Sequence, residues 1–488
     1  MAKRIEVTGK SVFFWNGIRK GLTLLLMVHI LAGFAWMLLH MGVLPDFAES
    51  DGIIASATDL TINEYQGILY VGLCALLIRV GRLLPFPWYS LLYGFQLLFV
   101  FFSFYYFLVA LAGKKYGRNI SRRSFRIFFI LFLMTIPRML QATMAVLPYA
   151  MSFALLMILG GLLLERRNAI LLASCCLLGS LIRPGNLILF CVFYGISVVY
   201  FFFHDKDREE VKMRFLHMGV RFLAIAIILV LSFGITNAVR NENDGLMQNN
   251  VYGAMLSRFA WPSFGQTYFF MPQELKDVLT EEVINATKNR ADDVYTTVGP
   301  LLEQSFGREG AAAYYKQLAL LALNNNTKVV LGEWAGDFIA YFFLPLTETD
   351  LPYPAGYRAY GYLRGQFLGE GELHTELGQL SYALSYWYLK LSQALLFASM
   401  ILGVCNMIMK ARRGQIVRRH EGRNLNRFFA MVMLLGVITA STSSHMPVNG
   451  LYALPVYIFW YALLLHAIYH QGGDDYILES RSNEQLTK

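Results

Sequence analysis

Long apolar runs recur along this chain, and they constrain its fold more than any other feature. Runs of about 18 residues or more can cross a hydrocarbon layer of about 30 Å as a helix. Candidate spans stand at 21–44, 88–112, 126–145, 149–164, 168–182, 186–203, 218–237, 386–409, 428–444 and 450–469, with short ones such as 168–182 at the lower limit of length. They are continuous and do not alternate, which argues against a closed β-barrel. Only 15% of the residues are charged and 56% are hydrophobic, whereas a soluble domain carries roughly 25% charged residues. The expected fold is therefore an all-α polytopic membrane protein of about ten transmembrane helices, with further helices lying at the outer face.

Charge orders these segments across the membrane. With the N-terminus inside, the inner loops collect Lys114, Lys115, Arg118, Arg122, Arg123 and Arg126, then Arg166 and Arg167, then Lys206 to Arg214, then Lys410 to Arg423. The short outer loops hold almost no basic residues, which is the positive-inside pattern. Two other apolar segments, 66–84 and 329–346, would invert this pattern if they crossed. The first is broken by Arg79, Arg82 and Pro85 and the second carries Glu333 and Asp337, so both are read as outer-face helices. The N-terminal basic residues lead into an uncleaved first span. The net charge of +9 points to anionic lipid and gives no argument for nucleic acid.

Four regions follow. Residues 1–237 form an N-terminal membrane module with an acidic first outer loop. Residues 238–385 form a large outer loop with helical patterns at 272–290 and 308–324. Residues 386–470 return to the membrane, and 471–488 are a polar cytoplasmic tail. The five cysteines all lie in apolar segments and imply neither a disulfide framework nor a metal cluster. Walker, zinc-protease and nucleophile-elbow motifs are absent, which removes support for those enzyme classes.

The outer loop PDFAESDGIIASATDLTINEYQGILY (45–70) belongs to a stretch from Gly21 to Ile78 that holds five carboxylates and no Lys or Arg. A carboxylate at a membrane face can act as a general base on an acceptor hydroxyl, or hold a divalent cation. Asp46 and Glu49 are read as ordinary loop polarity. Asp51 and Asp59 are separated by a short helical stretch, Asp59 is a possible helix N-cap, and Glu64 opens the next apolar helix.

The acidic loop together with NEYQGILY (63–70), IPRMLQATMAVLP (136–148), LIRPGN (181–186) and SRFAWPSF (257–264) resembles the GT-C superfamily of polyprenyl-phosphate-sugar-dependent glycosyltransferases, which includes protein mannosyltransferases and aminoarabinose transferases. More narrowly, the chain is similar to multi-span clostridial proteins grouped with that superfamily. The resemblance implies an outward first span, an acidic catalytic residue in the first outer loop and juxtamembrane helices before the second span. It implies Asp51 as the catalytic residue, with Asp59 or Glu64 next. It also implies transfer of a sugar from a polyprenyl phosphate to an envelope glycan, lipid or protein.

Basic residues at outer helix ends suit the donor phosphate, because a guanidinium binds phosphate bidentately. Arg183 and Arg138 each stand beside a proline, and Arg258 stands among Trp261, Tyr268 and Phe269. Snorkelling to headgroups is the alternative role for the arginines, and an interfacial belt is the alternative for the aromatics. Glu333 and Asp337 share one helical face, either as a functional pair or as the wet side of an amphipathic helix. In STSSHMPVNGLYALP (441–455), His445 can carry a proton or simply be solvated. The superfamily often pairs Arg with Tyr near a proline late in the bundle. Here Tyr452 and Pro455 are present and the arginine is missing. Two other classes remain open: a polymerase or ligase of lipid-linked glycans, marked by arginines in the long loop, and a transporter, marked by broken mid-membrane helices and two related halves.

Overall fold

The computed structural model describes residues 9–41, 48–62, 66–112, 123–165, 169–183, parts of 186–199, 211–239, 264–287, 297–343 and 376–412. Among these residues the chain is helical and contains no strand. The longest apolar helices are α1 (Gly9–His40), α4 (Trp88–Ala112) and α9 (Val211–Val239), and each contains a stretch long and apolar enough to cross a membrane. The shorter apolar helices are α3 (Ile68–Gly81), α7 (Tyr149–Leu164) and α8 (Ala169–Ile182). Those spans expected at 428–444 and 450–469 lie outside the described residues.

The run at 126–145 is not one helix. It divides into α5 (Arg123–Met134) and α6 (Pro137–Thr143). Pro137 is the reason, since a proline pushes the preceding residue out of the helical region. Ile136 accordingly has extended backbone angles of −65° and 131°. Such a break frees carbonyls in an apolar interior, where each needs a donor. The Tyr388 hydroxyl, on α14 (Glu376–Arg412), donates to the Thr135 carbonyl. Gly33 of α1 lies so close to this break that a Cβ there would meet the Thr135 Cβ at 2.6 Å. Beside it the fully buried His29 pairs through Nε2 with the Ser392 hydroxyl at 2.6 Å, against the rings of Phe132 and Tyr388. A buried imidazole without such a partner would be costly, so His29 fastens α1 to α14.

Helix α4 packs along α7, α7 along α8, and α8 along α9. Tyr106 of α4 fixes the far end of the α4–α7 pair by donating to Glu165 at 3.0 Å. At the near end Gln96 donates to the carbonyls of Thr143 and Ala145 at 3.1 and 3.0 Å. Helix α3 begins and finishes at this near end. Its leading residue, Gly67, presses on the last turn of α8, and Gly81 presses on Trp88, the first residue of α4. The fourteen residues of α3 make it as long as α8, about 21 Å as a helix.

A separate set of helices comes from the long loop. Short helices α10 (Phe264–Thr267), α11 (Gln273–Val278) and α12 (Glu281–Thr287) pack with the long α13 (Gly299–Phe343). Met271, Leu275, Leu279, Leu302, Tyr315 and Leu318 form their core. Helix α13 bends at Gly307, whose φ of +69° suits glycine, and again at Asn326. The Tyr315 hydroxyl donates to Glu303 at 3.1 Å, and burial together with that carboxylate raises its pKa above the ordinary phenol value.

A Cβ at Gly67 would lie 1.8 Å from the Ile182 carbonyl oxygen, a backbone atom that cannot step aside. Gly67→Ala should therefore destabilise the bundle by about 1–3 kcal/mol, as overpacking does. Gly72→Ala, on the exposed side of the same helix with nothing within 4 Å, should be neutral or stabilising by about 0.5–1 kcal/mol. Thermal unfolding of the two variants in detergent checks the contrast.

Candidate functional site

The acidic loop folds as α2 (Ala48–Asp59), seated on the near end of the bundle. Ser50, Ile53, Ser56 and Ala57 make its buried side, and Asp51, Ala55, Thr58 and Asp59 its exposed side. The apolar positions Ile53 and Ala57 are one turn apart and join the core that contains Val146, Ile182 and Tyr70. Ser50, fully buried, donates to the Val146 carbonyl at 3.2 Å. This bond and the apolar pair orient Asp51 away from the core, with its side chain exposed.

Helix α2 ends where Leu60 turns into the left-handed region at φ +57°, and the Thr61 amide reaches back to the Ser56 carbonyl at 3.1 Å. That is the helix-ending turn that glycine usually makes. Asp59 is thus the last residue of α2, which corrects the N-cap reading. Among the described residues the next helix begins at Ile68, which Gly67 precedes as cap. A carboxylate at a helix C-terminus opposes the helix dipole, so α2 gains nothing in stability from Asp59.

Arg183 is the first residue beyond α8, where Pro184 and Gly185 follow in the sequence. Its Nη2 donates to the Tyr149 hydroxyl at 3.3 Å, and its guanidinium lies 4.5 Å from the centre of the Tyr149 ring. Cation–π contact of this kind orients a guanidinium. Asn186 locks the turn. Its backbone amide donates to the Arg183 carbonyl at 2.9 Å, and its Nδ2 donates to the Ser152 hydroxyl at 2.8 Å and the Gly179 carbonyl at 3.0 Å. Ser232 of α9 donates to Ser180 at 3.0 Å and secures the same end of α8.

The structure thus brings Asp51, Asp59 and Arg183 to one end of the bundle. Val146 receives α2, and Tyr149, three residues on, carries the arginine. Among the described residues, neither Asp51 nor Asp59 makes an ion pair. Arg138 is the second residue of α6, and its side chain lies outside the described residues. Glu333 and Asp337 fall on the last turns of α13, again with side chains outside the described set. Glu64, Arg258, His445 and Tyr452 also lie outside it.

No group of three His, Cys, Asp or Glu residues that could hold a metal occurs among the described residues. Asp51 and Asp59 are eight residues apart on one helix, about 12 Å along the axis. They are too far apart to share one cation between themselves. The described cysteines are free thiols.

Sequence reasoning missed Tyr149, Ser152, Asn186 and Ser50. Asn186 was within reach, since a polar amide just after a Pro–Gly pair is ordinary turn chemistry. Tyr149 and Ser152 sit inside an apolar run and give no such signal. No protein-family model matches this chain, and no curated protein or solved structure shows a significant match to it.

Asn186→Ala should cost about 1–2 kcal/mol, because it removes two buried hydrogen bonds, while the Gly179 carbonyl keeps the Arg183 amide and Ser152 keeps the Pro148 carbonyl. Asn186→Asp should fail to rescue, since a carboxylate cannot donate. Tyr149→Phe keeps the ring under the guanidinium and should cost about 1 kcal/mol or less. Melting temperatures of the three variants give the ranking.

Proposed function

We propose that this chain is a multi-pass membrane glycosyltransferase that moves a sugar from a polyprenyl phosphate to a cell-envelope acceptor. In this reading the α2 end of the bundle faces outward and both termini are cytoplasmic, as the charge pattern requires. The observation that carries the reading is the pairing of functions at one end: an exposed acidic helix beside an arginine fixed on a tyrosine ring. The GT-C resemblance of the acidic loop points the same way.

The proposed chemistry is a single inverting displacement. The acceptor oxygen bonds to the anomeric carbon as that carbon's bond to the phosphate oxygen breaks. The acceptor proton passes to Asp51, with Asp59 and Glu64 the next carboxylates in line. Negative charge grows on the departing phosphate, where a prepositioned guanidinium is most effective. Arg183 takes that role, with Arg138 and Arg258 as further candidates. A divalent cation held jointly by a carboxylate and the phosphate is compatible with this scheme.

One observation favours a second reading. The break between α5 and α6, beside buried His29, is the kind of discontinuous helix that transporters use. The Thr135 carbonyl and His29 are already engaged by α14, so transfer remains the better reading. Ion-gradient-driven uptake with no glycosylated product would favour transport.

In proteoliposomes supplied with polyprenyl-phosphate sugars, Asp51→Asn should lower transfer about 10²-fold or more, as loss of a general base does. Its melting temperature should be unchanged because the side chain is exposed. Arg183→Ala should lower turnover about 10²–10³-fold, and Arg183→Lys should recover only part of it. Full transfer by Asp51→Asn would remove the assigned base.

A further inference from the structure

We propose that the turn Tyr268–Phe270 of the helical set 264–343 is a membrane-docking wedge that inserts two phenylalanine rings into the adjacent lipid surface. Phe269 and Phe270 are 73% and 53% exposed, on a one-turn 3-10 helix. They are not loose. Thr267 before them is fully buried and accepts a hydrogen bond from Asn326 of α13 at 3.3 Å. Met271 after them is buried in the core, and its amide donates to the Tyr268 carbonyl at 3.1 Å. The turn therefore presents both rings from a fixed base, so their exposure is part of the fold.

Ring chemistry and attachment select lipid as the occupant. Lys276 reaches under the turn, donating to the Phe269 carbonyl at 3.4 Å and lying 5.5 Å from the Tyr268 ring. Lys328, on α13 just beyond Asn326, is exposed, and Leu331 beyond it is 57% exposed. Glu274 accepts from Tyr314 at 2.9 Å and Asp277 from Gln273 at 2.8 Å, and Glu281 and Glu282 are exposed on α12, so the single ammonium under the turn stands among carboxylates that keep their charge. Aromatic rings with an ammonium at their base match a bilayer interface, apolar below and polar at the headgroups.

Residues 240–263 tether the set to α9, a helix of membrane-spanning length, and residues 344–375 tether it to α14. A surface held this way meets the bilayer at high effective concentration, so a small wedge is enough. The inference rests on the membrane placement proposed above and is independent of the transferase chemistry.

The test uses the full chain in liposomes of neutral and anionic phospholipid, with exposed Cys405 replaced by Ser. An environment-sensitive fluorophore is attached to a single cysteine at Phe270, at Glu282 on the exposed side of α12, or at Val230, which is 72% exposed within α9. Doxyl lipids should quench the probes at 270 and 230 several-fold more than the probe at 282, and aqueous iodide should show the reverse order. Lys276→Glu should weaken lipid quenching at 270 when the liposomes are anionic. Lipid quenching at 230 with iodide quenching at 270 would overturn the wedge and leave the membrane placement intact. Shielding of 270 from both quenchers would also overturn it, in favour of a protein contact. If 230 itself escapes lipid quenching, the membrane placement fails and the wedge falls with it. Hydroxyl-radical footprinting of the unsubstituted chain in the same liposomes gives a label-free readout, in which Phe269 and Phe270 should be protected despite their exposure.

Discussion

Gln96 holds the α2 end of this molecule together. The chain between α6 and α7 must turn inside an apolar bundle, and its carbonyls lose their helical partners there. Both N–H groups of the Gln96 amide are spent on two of them, at Thr143 and Ala145. The next carbonyl, that of Val146, is taken by Ser50 from α2. Leaving one such group unpaired costs about 1–3 kcal/mol, so these donors decide whether the turn can exist. Once it does, Val146 seats the acidic helix and Tyr149, opening α7, supports Arg183. The acidic and basic sides of the proposed site are therefore placed by one turn.

A second clamp acts deeper in the bundle. Pro137 breaks a helix, and the freed carbonyl and nearby polar groups are answered from α1 and α14 by His29, Tyr388 and Ser392. The approach of Gly33 to Thr135 allows those helices to meet closely. Where water is scarce, each helix break has to be matched by a side chain from elsewhere in the sequence.

That requirement explains what could and could not be read from the sequence. Helix type was legible because apolar runs with few breakers leave little choice, but 126–145 was read as one run although Pro137 marks the break at 135–136. The end of α8 at Arg183 follows from Pro184 and Gly185. Helix α2 was legible as a short helix between Asp51 and Asp59, but its end was not. Leu60 adopts a conformation normally given to glycine, so local rules pointed to Asp59 as a beginning when it is an ending. Gln96 and His29 were illegible for another reason. A single polar residue in an apolar run shows that a partner exists without saying which distant residue supplies it.

The account turns on which side of the membrane the acidic helix occupies. The direct measurement is reaction of an impermeant maleimide with single cysteines at Asp51 and Arg123 in intact cells, on a background with Cys405 replaced by Ser. Both positions are exposed and lie at opposite ends of the bundle. The account predicts that the cysteine at 51 reacts before permeabilisation and the one at 123 only after it. Reaction of 51 only after permeabilisation, or equal access to both from one side, would contradict it.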